Sequence, residues 1–324
     1  MPDMIYRQLG NTGLKVSIVG YGASPLGAEF GQIDPTEGTR AVHYAIERGI
    51  NYFDVAPYYG RTLAETRLGQ ALVGYRDRVY IATKVGRYDV DLDTGFDFSA
   101  KRVTASVDES LKRLQTDYLD VIQIHDIEFT HRDQIINETL PALYRLKEAG
   151  KVRHVGITGY PLHPIKAVIE AAPVETILSY CRYSLMDTAM AHVLAPAAQA
   201  RGIGLINGSP LHMRLLTEKG APDWHPAPKR VVNMGHKVAQ FCRSRGVDIA
   251  DLAMQFALAY EGAATTLVGM SKVHHVDMNV KSVGVPPDPN LLAEVLALIK
   301  PVANVVWQEG HPENYDPGAE PKQS

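Results

Sequence analysis

The chain has 324 residues, 45% hydrophobic and 21% charged, with a net charge of −3 and an isoelectric point near 6.5. That composition buries a large core and excludes disorder. The near-neutral balance argues against nucleic acid or an anionic membrane surface as partner. Two distant cysteines, Cys181 and Cys242, are too few for a disulfide framework and suit a reducing cytoplasm. No apolar run reaches the roughly 18 residues of a membrane span, and Met1–Gly10 lacks the basic-then-apolar pattern of a secretory leader.

Ile5–Leu9, the turn Gly10-Asn11-Thr12-Gly13 and Leu14–Val19 predict a β-hairpin that plugs one end of the fold. From Val16–Val19 onward a unit recurs: a short β-branched run, a turn, then a segment with helical spacing. Val16–Val19 leads to a helix over Pro35–Arg48, Tyr52–Asp54 to Leu63–Val73, and Val79–Thr83 to Ala100–Leu114. Leu119–Ile124 leads to Gln134–Lys147, Val152–Ile157 to Pro164–Ala171, and Thr176–Leu178 to Ala189–Ala200. Ile203–Ile206 leads through a long polar loop to helices over Val231–Ser244 and Ile249–Tyr260, and Thr265–Val268 to Val273–Lys281.

The strands are apolar without clean alternation, as parallel strands covered on both faces are. Eight units with no GxGxxG after the first strand predict closure into an α/β (β/α)8 TIM barrel, with an N-terminal hairpin and extra C-terminal helices, rather than an open doubly wound sheet. No composition shift marks a linker, so residues 1–310 read as one domain. Residues 311–324, polar and rich in Pro, Glu and Gly, read as a mobile tail.

In such a barrel the residues just past the strand ends share one mouth. Asp54 and Tyr59 follow the second strand, Lys84 the third and His125 the fourth. Singly, each is an ordinary solvated loop residue; together they suit hydride transfer, in which a proton leaves or joins oxygen as hydride leaves or joins carbon. A free Tyr, with a pKa of about 10, is a poor base near neutrality. A neighbouring Lys favours the phenolate, a carboxylate holds that Lys charged, and a His hydrogen-bonds the reacting oxygen.

Gly49-Ile50-Asn51-Tyr52-Phe53-Asp54-Val55-Ala56-Pro57-Tyr58-Tyr59-Gly60, Ile81-Ala82-Thr83-Lys84 and Val121-Ile122-Gln123-Ile124-His125 together resemble the signature of the aldo-keto reductase superfamily. The resemblance runs from the hairpin to about Asn304 and implies that Asp54, Tyr59, Lys84 and His125 are its catalytic tetrad. Gly22–Gly27, Thr83–Tyr88, Gly95–Ser99, His125–Phe129, Ile177–Cys181 and Trp224-His225-Pro226 further resemble the plant L-galactose dehydrogenase family. Its members oxidise C1 of the sugar to a lactone with NAD, on the route to ascorbate; L-fucose and D-arabinose dehydrogenases are similar.

By that resemblance a nicotinamide dinucleotide lies extended across the mouth, against Ser24, Thr158, Tyr180, Ser209, Leu211, Gly269, Ser271, His275 and Asn279. Backbone N–H groups opening the last barrel helix suit a phosphate; the plain alternative is a strand-to-helix turn. NADP users of the superfamily carry Lys and Arg where Gly269 and His275 stand, so NAD is expected over NADP, although Lys272 lies nearby. The chain departs from the superfamily at Thr158-Gly159 (Ser-Asn elsewhere), Tyr180 (Gln) and Gly208 (an aromatic ring).

Arg87, Tyr88, Asp126, Glu128, Phe129, Trp224 and His225 mix polar groups with flat rings, as a sugar site requires. Of these Arg87, Asp126, Glu128, Trp224 and His225 are the substrate candidates, with Asp126 the aptest because it follows His125. Trp307 either closes the mouth or packs outside it. No Cys/His spacing predicts a metal, His274-His275 included, and Cys181 reads as a resting thiol. The leading expectation is an NAD-dependent aldose 1-dehydrogenase. The alternatives are an NADPH-dependent aldehyde or ketone reductase and a nucleotide-binding regulatory subunit.

Overall fold

In the computed structural model, which describes residues 3–28, 31–91 and 94–322, the hairpin and the barrel are successive pieces of one strand-like run. β1 (Tyr6–Gln8) pairs antiparallel with β2 (Lys15–Ser17). The chain then turns, and β3 (Val19–Gly22) begins the barrel. The sequence reading merged these two strands into Val16–Val19. They part because the Ser17 hydroxyl donates to Val19 O at 2.7 Å while Ser17 N donates to the Asn51 side chain at 2.8 Å.

The barrel continues through β4 (Tyr52–Asp54), β5 (Tyr80–Val85), β6 (Leu119–Ile124), β7 (Val152–Gly159), β8 (Thr176–Tyr180), β9 (Gly204–Gly208) and β10 (Thr265–Gly269). Each strand pairs in parallel with the next, and β10 closes on β3. Alternate strand residues divide between two cores. Tyr52, Ala82, Val121, Leu178, Ile206 and Leu267 cluster with Leu9, Leu14 and Val16 of the hairpin. Ile81, Ile122, Val155 and Ile177 join the helices outside. The hairpin therefore plugs the barrel with its own apolar side chains.

The outer helices are α1 (Pro35–Glu47), α2 (Leu63–Ala71), α3 (Ala100–Leu114), α4 (Arg132–Gln134), α5 (Leu140–Glu148), α6 (Leu162–Ala171), α7 (Ala189–Val193), α8 (Ala195–Arg201), α9 (Lys229–Ser244), α10 (Ile249–Ala259), α11 (Val273–Val280) and α12 (Pro289–Ile299). Several start where sequence rules place them: Asp34, Ser99, Asp248 and Asp288 each accept a first-turn N–H. Two expected single helices are divided. A π-helical stretch, Ile135–Thr139, joins α4 to α5 just before Pro141, which has no N–H for the regular ladder. Pro196 likewise opens α8 after a break at Leu194. No helix among the described residues is long and apolar enough to cross a membrane.

The tail differs most from its expectation. Glu128 O accepts from His311 N and from the Asn314 side chain, which also reaches Thr130 O. The Asp316 carboxylate accepts from Leu162 N and His163 N at 3.0 and 2.9 Å and pairs with Arg182 at 2.7 Å. Pro161 has no side-chain donor or acceptor to cap α6, so Asp316, 154 positions beyond Leu162, caps it instead. The described tail is thus fastened to the barrel chiefly by buried polar bonds, which a polar composition does not distinguish from a solvated extension. Asp316→Ala should lower the unfolding free energy by on the order of 3 kcal/mol, because Arg182 loses one of its two buried carboxylates; chemical denaturation checks this, and an unchanged midpoint refutes it.

Candidate active site

Strand register brings the tetrad together. Asp54 ends β4, level with Ala82, and Lys84 stands two residues further along β5, level with Gln123 of β6. The Lys84 ammonium, 1% exposed, donates to Asp54 Oδ1 at 2.5 Å and to Val55 O at 2.9 Å. It also lies 5.0 Å from the centre of the Tyr59 ring. His125, the residue after β6, sets its ring edge-on to Tyr59 with centroids 5.7 Å apart. All four expected catalytic residues therefore meet at one place, with Tyr59 the most exposed of them.

Tyr59 is placed by backbone contact. It sits between the end of β4 and α2, and its turn leans on the 3-10 turn Ser24–Gly27. A Cβ on Gly27 would lie 2.7 Å from Gly60 N, and one on Gly60, whose φ is 61°, 2.2 Å from Gly27 O. Only two glycines allow this approach. The sequence reading quoted both residues within motifs, but nothing in one chain's sequence pairs them.

Burial pushes the Tyr59 phenol up to about 12, against the pull of Lys84 and with a further push from Asp54 and Asp126. This corrects the expectation that Lys84 alone would bring the phenol below its ordinary value: desolvation outweighs the ammonium. Burial draws Lys84 down, but Asp54 and Tyr59 outweigh it and the ammonium is held above its usual range. Burial drives His125 down to about 3, so its imidazole is neutral and offers one N–H; its Nδ1 is buried without a partner.

On the substrate side, Arg87 and Asp126 are bound to each other at 2.6 Å. The Asp126 carboxylate, which burial alone would raise, is held low by the Arg87 charge and hydrogen bond, and lies 3.7 Å from His125 Nε2. The guanidinium lies 3.9 Å from the Tyr58 ring centre and is flanked by Phe96 and Phe129. Tyr58 and Phe96 were not singled out in the sequence. Two further substrate candidates are engaged within the protein. Glu128 is fully buried: its Oε1 accepts from Tyr160 N at 2.9 Å, and burial with the nearby Asp126 charge pushes it well up. His225 is buried with both ring nitrogens engaged by His212 O and Ala227 N. Glu128 through Oε1 and His225 through both ring nitrogens thus brace loops, while Glu128 Oε2 is buried without a partner. Trp224 is 54% exposed, and Trp307 is buried, stacked on Tyr160 with centroids 4.2 Å apart.

The expected cofactor residues gather at neighbouring strand ends. Gly269, at the end of β10, stands level with Gly22, and Ser24 follows two residues later. Ser271 and Asn279 are buried; Ser271 N donates to His275 Nδ1 and Asn279 to His275 O. Burial lowers His275 to about 4, leaving that ring uncharged. Ser209 and Leu211 follow β9, and burial pushes the nearby Cys181 thiol up. The Thr158 hydroxyl turns to Asp126 N at 3.0 Å, and Tyr180 leans on Tyr160 with centroids 5.6 Å apart. One residue escaped the sequence reading: Glu37 of α1 accepts from Val273 N, the first N–H of α11, at 3.1 Å.

This barrel and tetrad define a nicotinamide-dependent oxidoreductase, and residues 18–299 match the profile of the aldo/keto reductase family. The chain belongs to that family. It is 46% identical to the L-galactose dehydrogenase of Arabidopsis thaliana, over 97% of this chain and 100% of that one. It is 31% identical to a D-arabinose 1-dehydrogenase of Saccharomyces cerevisiae, over 73% of each chain. Among solved structures it resembles the holo form of an aldo-keto reductase from Bacillus halodurans, with a TM-score of 0.76 and 30% identity, covering 94% of this chain and 99% of that one.

Tyr59→Phe should cut kcat by at least about 100-fold while cofactor affinity stays within a factor of about three; fluorescence titration beside steady-state kinetics reads both, and retention of a tenth of kcat refutes the role. Because the phenol is raised, the oxidative rate should climb with pH from about 7 to about 9, as more phenolate becomes available; a flat profile across that range refutes the assignment.

Proposed function

We propose that this chain is an NAD-dependent aldose 1-dehydrogenase that oxidises C1 of L-galactose to the lactone. The full-length likeness to an L-galactose dehydrogenase carries the reading. The buried Arg87–Asp126 pair beside His125, walled by Tyr58, Phe96 and Phe129, supports it: a sugar presents hydroxyls to charged groups and a C–H face to rings. L-fucose and D-arabinose are the neighbouring substrates, and the yeast relative favours the latter.

A nicotinamide, when bound, supplies the acceptor for the C1 hydride. The residues that would hold the dinucleotide are Ser24, Ser209, Ser271 and Asn279, with the bare backbone at Gly22 and Gly269. Neutral donors and glycines suit ribose hydroxyls and a close-lying backbone. In the cyclic hemiacetal, C1 carries both the hydrogen and the hydroxyl. Tyr59, as the phenolate that Lys84 stabilises, takes the hydroxyl proton. Asp54 keeps Lys84 charged and aimed. The neutral His125 donates its N–H to the same oxygen as it becomes a carbonyl. Loss of one hydride and one proton gives the lactone, and no water is consumed.

The preference for NAD rests on charge. Gly269 and the uncharged His275 offer no cation, and Glu37 puts a carboxylate at the first turn of α11. A 2′-phosphate there would meet the Glu37 carboxylate, which offsets the nearby Lys272, whereas a 2′-hydroxyl could donate to it. The buried free thiols Cys181 and Cys242 fit a cytoplasmic setting.

Purified protein with NAD or NADP and a panel of aldoses, followed at the reduced-nicotinamide absorbance, tests the reading. L-galactose should reduce NAD with the highest kcat/KM. The proposal fails if no aldose reduces NAD while NADPH reduces simple aldehydes efficiently, and turnover of neither points to a nucleotide-binding regulatory role. Glu37→Gln should raise the NADP/NAD ratio of kcat/KM by about ten-fold; an unchanged ratio removes Glu37 from the selectivity.

A further inference from the structure

Outside the tetrad, one group of side chains among the described residues has the makings of a metal site: His131, His311 and Glu313. His131 precedes α4 in the loop after β6, and the other two belong to the tail, 180 residues later in the chain. Their ligand atoms all lie within 4.8 Å of one another. His131 Nδ1 is 3.1 Å from Glu313 Oε1, and His311 Nδ1 is 3.7 Å from the same oxygen. Nitrogen and oxygen ligands at about 2.0–2.1 Å from a tetrahedral ion stand roughly 3.3 Å apart. One separation already matches, and the other two, 3.7 Å and no more than 4.8 Å, close by side-chain rotation.

The backbone on both sides is held independently of these side chains. Glu128 O accepts from His311 N, and the Asn314 side chain donates to Glu128 O and Thr130 O at 2.9 and 3.0 Å. A 3-10 turn over Pro312–Asn314 fixes Glu313 between His311 and Asn314. The two rings meet edge-on with centroids 5.8 Å apart, and all three side chains reach solvent, so an ion can enter and keep a water as fourth ligand. Two imidazoles with one carboxylate and no thiolate match zinc and its divalent neighbours, and not magnesium or calcium.

We propose that His131, His311 and Glu313 form a surface site for a zinc-type divalent ion that clips the C-terminal tail to the loop carrying His125. The same tail then caps α6 through Asp316. The site is separate from the hydride chemistry, and the metal binding it requires does not depend on which sugar or nucleotide the enzyme uses.

The test is a calorimetric titration of chelator-stripped full-length protein with zinc chloride, alongside His131→Ala, His311→Ala and Glu313→Gln. The wild type should bind one zinc ion, with a rise in Tm and slower proteolysis of the tail. Each variant should weaken binding by at least about ten-fold and lose both effects. His274→Ala, in the other histidine pair, should bind as the wild type does. The proposal is overturned if the wild type takes up no zinc, if both histidine variants bind like the wild type, or if His274→Ala abolishes uptake. In the first case the two rings merely share a carboxylate as hydrogen-bond donors.

Discussion

A buried ammonium sets the terms for this molecule. Lys84 lies almost wholly out of solvent, and its desolvation is tolerable only because Asp54 and Val55 O receive its protons. A buried pair of this kind contributes little net stability, since the loss of hydration offsets most of the attraction. Its return is chemical: a fixed positive charge against a tyrosine hydroxyl. Asp54 and Lys84 come from adjacent strands, so the pairing of β4 with β5 sets their separation. The sheet in turn holds that register because it is closed, with no free edge along which a strand could slide.

Around that pair the site is kept dry, and dryness works against the phenol. Tyr59 is harder to ionise than in water, while His125 is kept neutral by the same burial. The outcome is a division of roles between residues that both titrate near the chemistry. The proposed roles divide accordingly: the tyrosine to move a proton, the neutral histidine to offer an N–H. Asp126 would spoil this arrangement if it stood alone, since a bare carboxylate beside Tyr59 raises the phenol further. Arg87 balances it, and three aromatic rings shield the pair.

The loop after β6 has two duties. Its first residues, His125 and Asp126, face the site; a few positions on, Glu128 and Thr130 hold the tail through their carbonyls. Glu128 itself, pushed toward its uncharged form, accepts from Tyr160 N under Gly159, where a Cβ would come within 2.6 Å of its second oxygen. Gly159 thus makes room for a buried carboxyl that fastens the loop to β7. The tail and the catalytic loop are consequently one mechanical unit, although one looks like a solvated extension and the other like a site.

The sequence by itself determined the eight units and the tetrad. Each strand is a local apolar run, each helix has its own spacing and caps, and Asp54, Lys84 and His125 sit at strand ends that any barrel closure brings together. Tyr59 followed because its turn is short. Only the tertiary structure decided which polar groups are spent on one another. Arg87 is bound to Asp126 and Asp316 to α6, and no local pattern announces contacts between residues tens of positions apart. Burial is likewise a property of the whole assembly. The sequence offers Glu128 to a substrate and leaves Tyr59 free to lose its proton, whereas the packed molecule buries the one and raises the other. Local chemistry is written along the chain; solvent access and pairing depend on what the rest of the chain places alongside.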